Sequence, residues 1–173
     1  MKINVGCGHR VLDGWTNVDA VISPRAPRPP EIISNALTIP LPDGCADTVM
    51  AIHLFEHFYR WEAPKALAEW ARLLKPGGLL IMEMPDLVKC AKNLLAGHRA
   101  SKHPEQMHMW GLYGDPREAD PWMVHRWGWT YATVKPVLLE AGFESAAERI
   151  TEFHSVGRLA RDFRVEARKR RSA

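Results

Sequence analysis

Lys2-Ile3-Asn4-Val5-Gly6-Cys7-Gly8 opens the chain, and Trp15-Thr16-Asn17-Val18-Asp19 follows after a short link. The first stretch is a strand that runs straight into two glycines. The second is a strand that stops on an acid. Glycines at a strand's end let the backbone approach a ligand that any side chain would hold off. A carboxylate at the tip of the next strand can accept both hydroxyls of a ribose. Together they point to a nucleoside-containing ligand held above the carboxyl ends of parallel strands.

Working outward, Glu69-Trp70-Ala71-Arg72-Leu73-Leu74-Lys75-Pro76-Gly77-Gly78 ends a helix with a cation in its last turn, then a proline and two glycines. Leu79 to Met84 follows as a mostly apolar strand closing on Pro85-Asp86. Ala46 to Ile52 reads as a buried parallel strand, and Glu31 to Ser34 as a shorter one. Ala66, Leu67, Trp70, Leu73 and Leu74 recur at helical spacing within residues 61–75. Asp86 caps a shorter helix ending near Gly97. Tyr131 to Ala141 is helical and stops at Gly142, and Phe143 to Phe153 and Arg161 to Arg168 make the last two strands. In the latter, Phe163, Val165 and Ala167 alternate with Arg164, Glu166 and Arg168, which reads as a charged edge strand. Strands alternating with helices, then a terminal strand pair, predict an α/β sheet with an antiparallel hairpin at one edge.

Composition bounds the rest. A chain of 173 residues makes one domain, 1–173, burying roughly two-thirds of its unfolded surface. No apolar run is long enough to span a membrane, and the fold starts too early for a signal peptide. Cys7, Cys45 and Cys90 are odd in number and scattered, which points to a reducing, cytoplasmic setting rather than a disulfide framework. The net charge of +3 is modest, so a nucleic-acid partner is not favoured. Pro24-Arg25-Ala26-Pro27-Arg28-Pro29-Pro30 reads as a stiff loop.

Several pieces in order resemble the class I S-adenosylmethionine-dependent methyltransferases, in particular the small type 11 group. They are Asn4-Val5-Gly6-Cys7-Gly8, Gly14-Trp15-Thr16-Asn17-Val18-Asp19, Leu41-Pro42-Asp43, Glu56-His57, Leu74-Lys75-Pro76-Gly77-Gly78 and Met84-Pro85-Asp86-Leu87. His125-Arg126-Trp127-Gly128-Trp129-Thr130 and Ala141-Gly142-Phe143 continue the series. The resemblance implies a Rossmann-like sheet of order 3-2-1-4-5-7-6 with its last strand antiparallel. It implies S-adenosyl-L-methionine as cofactor and direct in-line methyl transfer to an acceptor, here expected to be a small molecule. A nucleic-acid or protein acceptor, or a cofactor-binding relative without catalysis, is the alternative.

By the same resemblance Val5, Gly6, Cys7 and Gly8 lie beneath the methionine moiety, and Asp19 with Ala20 meets the ribose. Asn35, Ala36 and Leu37 sit at the adenine, Asn35 replacing the family's usual aspartate, while His53 and Leu54 line the cofactor's other side. The glycine loop departs from the pattern: His9 and Arg10 stand where a third glycine often lies, and too few residues separate Gly8 from Asp19 for the usual first helix.

Residues 98–130 lie on the family's substrate side. They hold Trp110, Trp122, Trp127 and Trp129, His98, His103, His108 and His125, with Met107, Met109, Met123 and Tyr113 among them. Aromatic richness disfavours disorder, so a lid is expected, with Trp127 and Trp129 roofing a substrate pocket. His125 is the expected general base, and His57 the second catalytic candidate. His53-Leu54-Phe55-Glu56-His57 spells the inverted zinc-protease motif H-x-x-E-H, but His53 ends a strand rather than sitting on a helix face, so no metal is expected. With the early helices missing, one face of the sheet should be apolar and bare, closed by the 98–130 segment or by a homodimer.

Overall fold

The computed structural model describes residues 1–96, 109–115, 120–153 and 161–171. The strands are β1 (Lys2–Val5), β2 (Thr16–Asp19), β3 (Ile32–Ile33), β4 (Ala46–Ile52), β5 (Leu74–Pro85), β6 (Phe143–Arg149) and β7 (Asp162–Lys169). They form one seven-stranded sheet of order β3-β2-β1-β4-β5-β7-β6, the order expected. β1 through β5 pair in parallel, and β7 runs antiparallel to both β5 and β6. The helices are α1 (Ala63–Leu73), α2 (Leu87–Leu95), α3 (Trp110–Tyr113) and α4 (Tyr131–Glu140). Among the described residues no helix is long and apolar enough to cross a membrane.

Local chemistry sets the helix ends. The Asp86 side chain accepts from the Lys89 amide at 2.9 Å and starts α2. Thr130 and Thr133 bond each other's backbone amides across the first turn of α4, which Gly142 ends at φ 97°. Lys75 to Gly78 is not the plain helix-to-strand turn expected. β5 begins at Leu74, opposite Ala46, and the next pair is Thr48 with Leu79, so the four residues between bulge from the ladder.

The two faces of the sheet differ in kind. Ile3, Val5, Val18, Val49, Ala51, Leu80, Met82, Met84, Val165 and Ala167 form a core with Ala66, Leu67, Trp70 and Leu73 of α1 and Val134, Val137 and Leu138 of α4. The opposite face carries Asn4 beside Asn17, then Thr48, Met50 and Ile52, and Glu83 beside Arg164. It is therefore not the continuous apolar surface expected from the missing helices. Met50, Ile52, Leu79 and Ile81 are its apolar part, diluted by amides and charges.

Buried amides do the work of the absent first helix. Asn4 Nδ2 donates to Asn17 Oδ1 at 2.9 Å and to the Arg10 carbonyl at 3.0 Å. Asn17 accepts from the Leu12 amide and donates to the Leu12 and Trp15 carbonyls and to Glu31. Glu31 also takes the Asn17 amide at 2.7 Å and pairs with Arg28 of the proline-rich loop. Lys2 lies over the Trp15 ring, 5.5 Å from its centre. The 9–15 link is thus strapped to the sheet by side chains.

β7 lies between β5 and β6, so it is not the edge strand its charge pattern predicted. Its inward charge is paired: Arg164 Nη1 meets Glu83 at 2.9 Å, both buried. Asn17→Ala would leave Glu31, Leu12 and Trp15 short of partners at a fully buried position, and urea denaturation should show a loss of roughly 2–3 kcal/mol.

Candidate functional site

The carboxyl ends of β1, β2, β4 and β5 meet at one edge, and the cofactor-binding candidates gather there. Gly6 and Cys7 turn back to the Val18 carbonyl, both amides donating to it at 2.8 and 3.2 Å. The Gly8 amide then donates to Asp19 Oδ2 at 2.7 Å, while Asp19 Oδ1 takes the Val21 amide at 3.1 Å, just past Ala20. The glycine loop and the acid are therefore one unit.

Gly6 and Gly8 both have positive φ, 66° and 53°. A Cβ on Gly6 would stand 2.7 Å from Leu54 Cδ1, so the tip of β4 packs directly beneath the loop. A Cβ on Gly8 would meet nothing within 4 Å. Gly6 is small because protein fills the space beside it, whereas Gly8 faces open space with a carboxylate hydrogen-bonded to its amide. Cys7 is no nucleophile: burial first, and Asp19 second, push its thiol to about 11.

Asn35 is exposed beyond β3, and its side-chain oxygen already accepts from the Leu37 amide at 2.8 Å. The amide that replaces the family's aspartate thus holds its own turn. Ala36 is tied down from below by Trp70 Nε1, 3.1 Å from its carbonyl.

His53 does not point freely at a cofactor mouth. It sits at φ 51° with Nδ1 3.1 Å from Glu56 Oε1 and Nε2 3.3 Å from Asp162 Oδ2. Burial is the largest influence on it and disfavours its charge, but the hydrogen-bonded Asp162 and Glu56 together outweigh that and raise the imidazole to about 9. Glu56 is the residue whose importance sequence reading missed. Burial pushes its carboxyl up, yet the His53 hydrogen bond and the charges of His53, His57 and His125 bring it to about 2.

His57 and His125 come together from distant parts of the chain, their rings 4.9 Å apart and nearly perpendicular. Arg126 and Trp127 donate their amides to the Glu56 carbonyl at 2.8 and 3.2 Å, which anchors the 124–130 segment to the turn Phe55–His57. Trp129 is 1% exposed and packs on Phe55 with ring centres 5.0 Å apart, so it belongs to the core and not to a roof. Trp127 is half exposed beside it. Burial lowers the His125 imidazole below its ordinary value. His98, His103, His108 and Met107 lie outside the described residues.

The His53 charge gives the site a pH signature. Its folded value of about 9 exceeds the ordinary 6.5, so its stabilisation is complete below 6.5 and lost as pH rises through 9. Urea midpoints measured with a chelator present should fall across that window, and His53→Gln should flatten the fall. An equal decline in the variant would remove His53 from that role.

Residues 4–82 match the family model of a methyltransferase domain. A probable S-adenosylmethionine-dependent methyltransferase of Mycobacterium tuberculosis is 32% identical over 69 residues, which are 40% of this chain and 24% of that protein. The chain thus spans about a quarter of the curated relatives it matches. A methyltransferase structure from Methanosarcina mazei superposes with a TM-score of 0.65 at 16% identity, covering 99% of this chain and 92% of the other. One from Archaeoglobus fulgidus gives 0.64 at 16% identity over 97% and 85%. A possible histamine N-methyltransferase from Thermotoga maritima gives 0.61 at 16% identity over 98% and 82%. Those distant structures share the fold, and the family match falls on the strands and glycine loop that build this pocket. Fold and motif agree: residues 4–82 match a methyltransferase domain, and the chain shares the fold of S-adenosylmethionine-dependent methyltransferase structures.

Proposed function

We propose that this chain methylates a small-molecule acceptor by direct in-line transfer from S-adenosyl-L-methionine. The observation that carries the reading is the Gly8–Asp19 unit: a glycine facing open space, with its amide held by the one acid at the tip of β2. Gly6, Cys7 and Gly8 would support the methionine end and Asp19 the ribose. Leu54 packs under the loop, and Ala36 and Leu37 would flank the adenine. When bound, S-adenosylmethionine supplies an electrophilic methyl on a sulfonium whose charge vanishes as the thioether leaves. The chain's task is to align the acceptor with that methyl, exclude water and take up a proton where the acceptor carries one. Orientation alone can supply roughly 7–11 kcal/mol of the barrier.

The small-molecule reading draws support from two relatives of like fold. A 1,6-didemethyltoxoflavin-N1-methyltransferase of Burkholderia thailandensis was solved with 1,6-didemethyltoxoflavin and S-adenosylhomocysteine. A phosphoethanolamine N-methyltransferase of Haemonchus contortus was solved with phosphomonomethylethanolamine and S-adenosylhomocysteine.

For the proton, His125 and His57 are held alike, Nδ1 3.2 Å from the Gly111 carbonyl and 3.1 Å from the Val124 carbonyl, which turns Nε2 outward in each. Burial favours the neutral form of His125, and a base must be neutral to accept a proton.

Two results would test this. Asp19→Ala should weaken S-adenosylhomocysteine binding tenfold or more by calorimetry, scaled to a charged hydrogen bond of about 1.5–3 kcal/mol, and Gly8→Ala should weaken it by placing a methyl group, at positive φ, in the space the ligand would occupy. Equal affinity in folded variants would remove the loop from the site. His125→Asn should lower turnover of labelled methyl into a fractionated metabolite extract by ~10²-fold or more, with cofactor affinity unchanged. Parallel loss of both would make His125 structural.

A further inference from the structure

Glu56 is 2% exposed, and its Oε2 atom is buried without a hydrogen-bond partner among the described residues. An unmet carboxylate oxygen at such depth is costly, because burial removes the water that would otherwise satisfy it. Its sister oxygen is engaged by His53 at 3.1 Å. His125 Nε2 stands 3.9 Å from that engaged oxygen, Oε1, beyond hydrogen-bond reach.

The tautomers sharpen the mismatch. Both histidines direct Nδ1 at a backbone carbonyl, Gly111 for His125 and Val124 for His57. A carbonyl only accepts, so each Nδ1 carries a proton, and in the neutral ring each Nε2 presents a lone pair. In that form two ring nitrogens and a carboxylate have no proton to share. Donor atoms from Glu56, His57 and His125 all lie within 4.8 Å of one another. What such a set lacks is a cation.

We propose that Glu56, His57 and His125 bind one divalent d-block cation, through a carboxylate oxygen and Nε2 of each imidazole. Two imidazoles and one carboxylate suit zinc, cobalt, iron or manganese better than magnesium or calcium, which prefer oxygen throughout. The outer contacts are those a metal site needs. Each ligand histidine donates its other N–H to a backbone carbonyl, and the carboxylate is oriented by His53, itself held by Asp162. Backbone bonds from Arg126 and Trp127 to Glu56 lock the two ligand-bearing segments together. A tetrahedral ion spaces its ligands roughly 3.4 Å apart, so side-chain rotation of about 1 Å closes the set.

Three protein ligands leave a coordination position open. Leu54, which packs beneath Gly6, lies two residues before Glu56 in the chain. If the methyl-transfer reading holds, the acceptor is then an oxygen or nitrogen donor that binds the ion through the atom to be methylated or its neighbour. Its proton is made acidic by the ion instead of being taken by His125, whose lone pair is then committed. The site itself rests on the Glu56, His57 and His125 geometry and stands independently of any transferase activity.

The test uses tag-free full-length protein stripped with a chelator. Titration with Co(II) should produce saturable visible ligand-field bands, and Zn(II) should displace them at one ion per chain. His57→Gln and His125→Gln should each weaken Zn(II) binding at least about tenfold. Cys45→Ser, which removes the half-exposed thiol just before β4, at the end of that strand away from the cluster, should leave it unchanged. Glu56 is buried enough that Glu56→Gln could unfold the chain, so circular dichroism is read on every variant and the two histidine variants decide the outcome. Failure to bind either ion saturably, or undiminished binding in both folded histidine variants, overturns the proposal. None of these readouts requires turnover, so their failure is distinct from failure of the methyltransferase reading.

Discussion

A parallel strand end carries amides and carbonyls that must find partners, and in this chain the buried Asn4–Asn17 pair supplies them. With so few residues between the first two strands there is no room for a helix to cover the sheet. Two enclosed amide side chains instead reach out and hold the backbone of the link at Arg10, Leu12 and Trp15. Amides suit this because each offers donor and acceptor at once. The consequence reaches the site. The 9–15 link begins where the glycine loop ends, so fixing the link fixes Gly8 against Asp19. Glu31 closes the strap from the far side of the proline-rich loop, making β3 part of the same frame.

The strand tips hold a second set of buried polar groups, arranged as alternating charges. Glu83 takes Arg164 on one side and the amides of Glu152 and Phe153 on the other. His53 stands between Glu56 and Asp162, and Arg161 also reaches Asp162. Buried ion pairs are weak contributors to stability, since desolvation offsets most of their attraction. Their retention at one edge of the sheet, where a nucleoside-bearing ligand would lie, fits preorganisation better than stabilisation. Glu83 fixes the chain leaving β6, and His53 fixes the carboxylate of Glu56.

What the sequence displayed was governed by local rules. Buried parallel strands are apolar runs, Asp86 and Thr130 cap helices, and Gly142 stops one, so the elements could be read in advance, while their order in the sheet came from the family resemblance. The glycine loop and Asp19 were legible for the same reason. The errors share a different origin. Arg164 and Glu166 look like solvent-facing residues of an edge strand, because nothing near them in sequence reveals that Glu83 waits opposite. Trp129 looks like a lid residue, because only the fold brings Phe55 against it. The cluster around Glu56 was hidden likewise: His125 reaches it through tertiary packing, so no spacing rule applied to His53 and His57 alone could find it. Sequence periodicity reports which face of an element is buried, and says little about what a polar residue on that face will meet.

The strand order carries one more consequence, for how copies of this chain can meet. The sheet's two margins are β3, with only two residues in its ladder, and β6, where Glu144, Glu148 and Arg149 are exposed. A very short rim and a charged rim are both poor templates for a further strand. The charged alternation expected on an exposed β7 is shielded inside, and its neighbour performs the guarding instead. Growth of the sheet from molecule to molecule is therefore blocked at both ends. Any association between copies has to be assembled from side chains on the faces, which leaves the backbone ladder out of it.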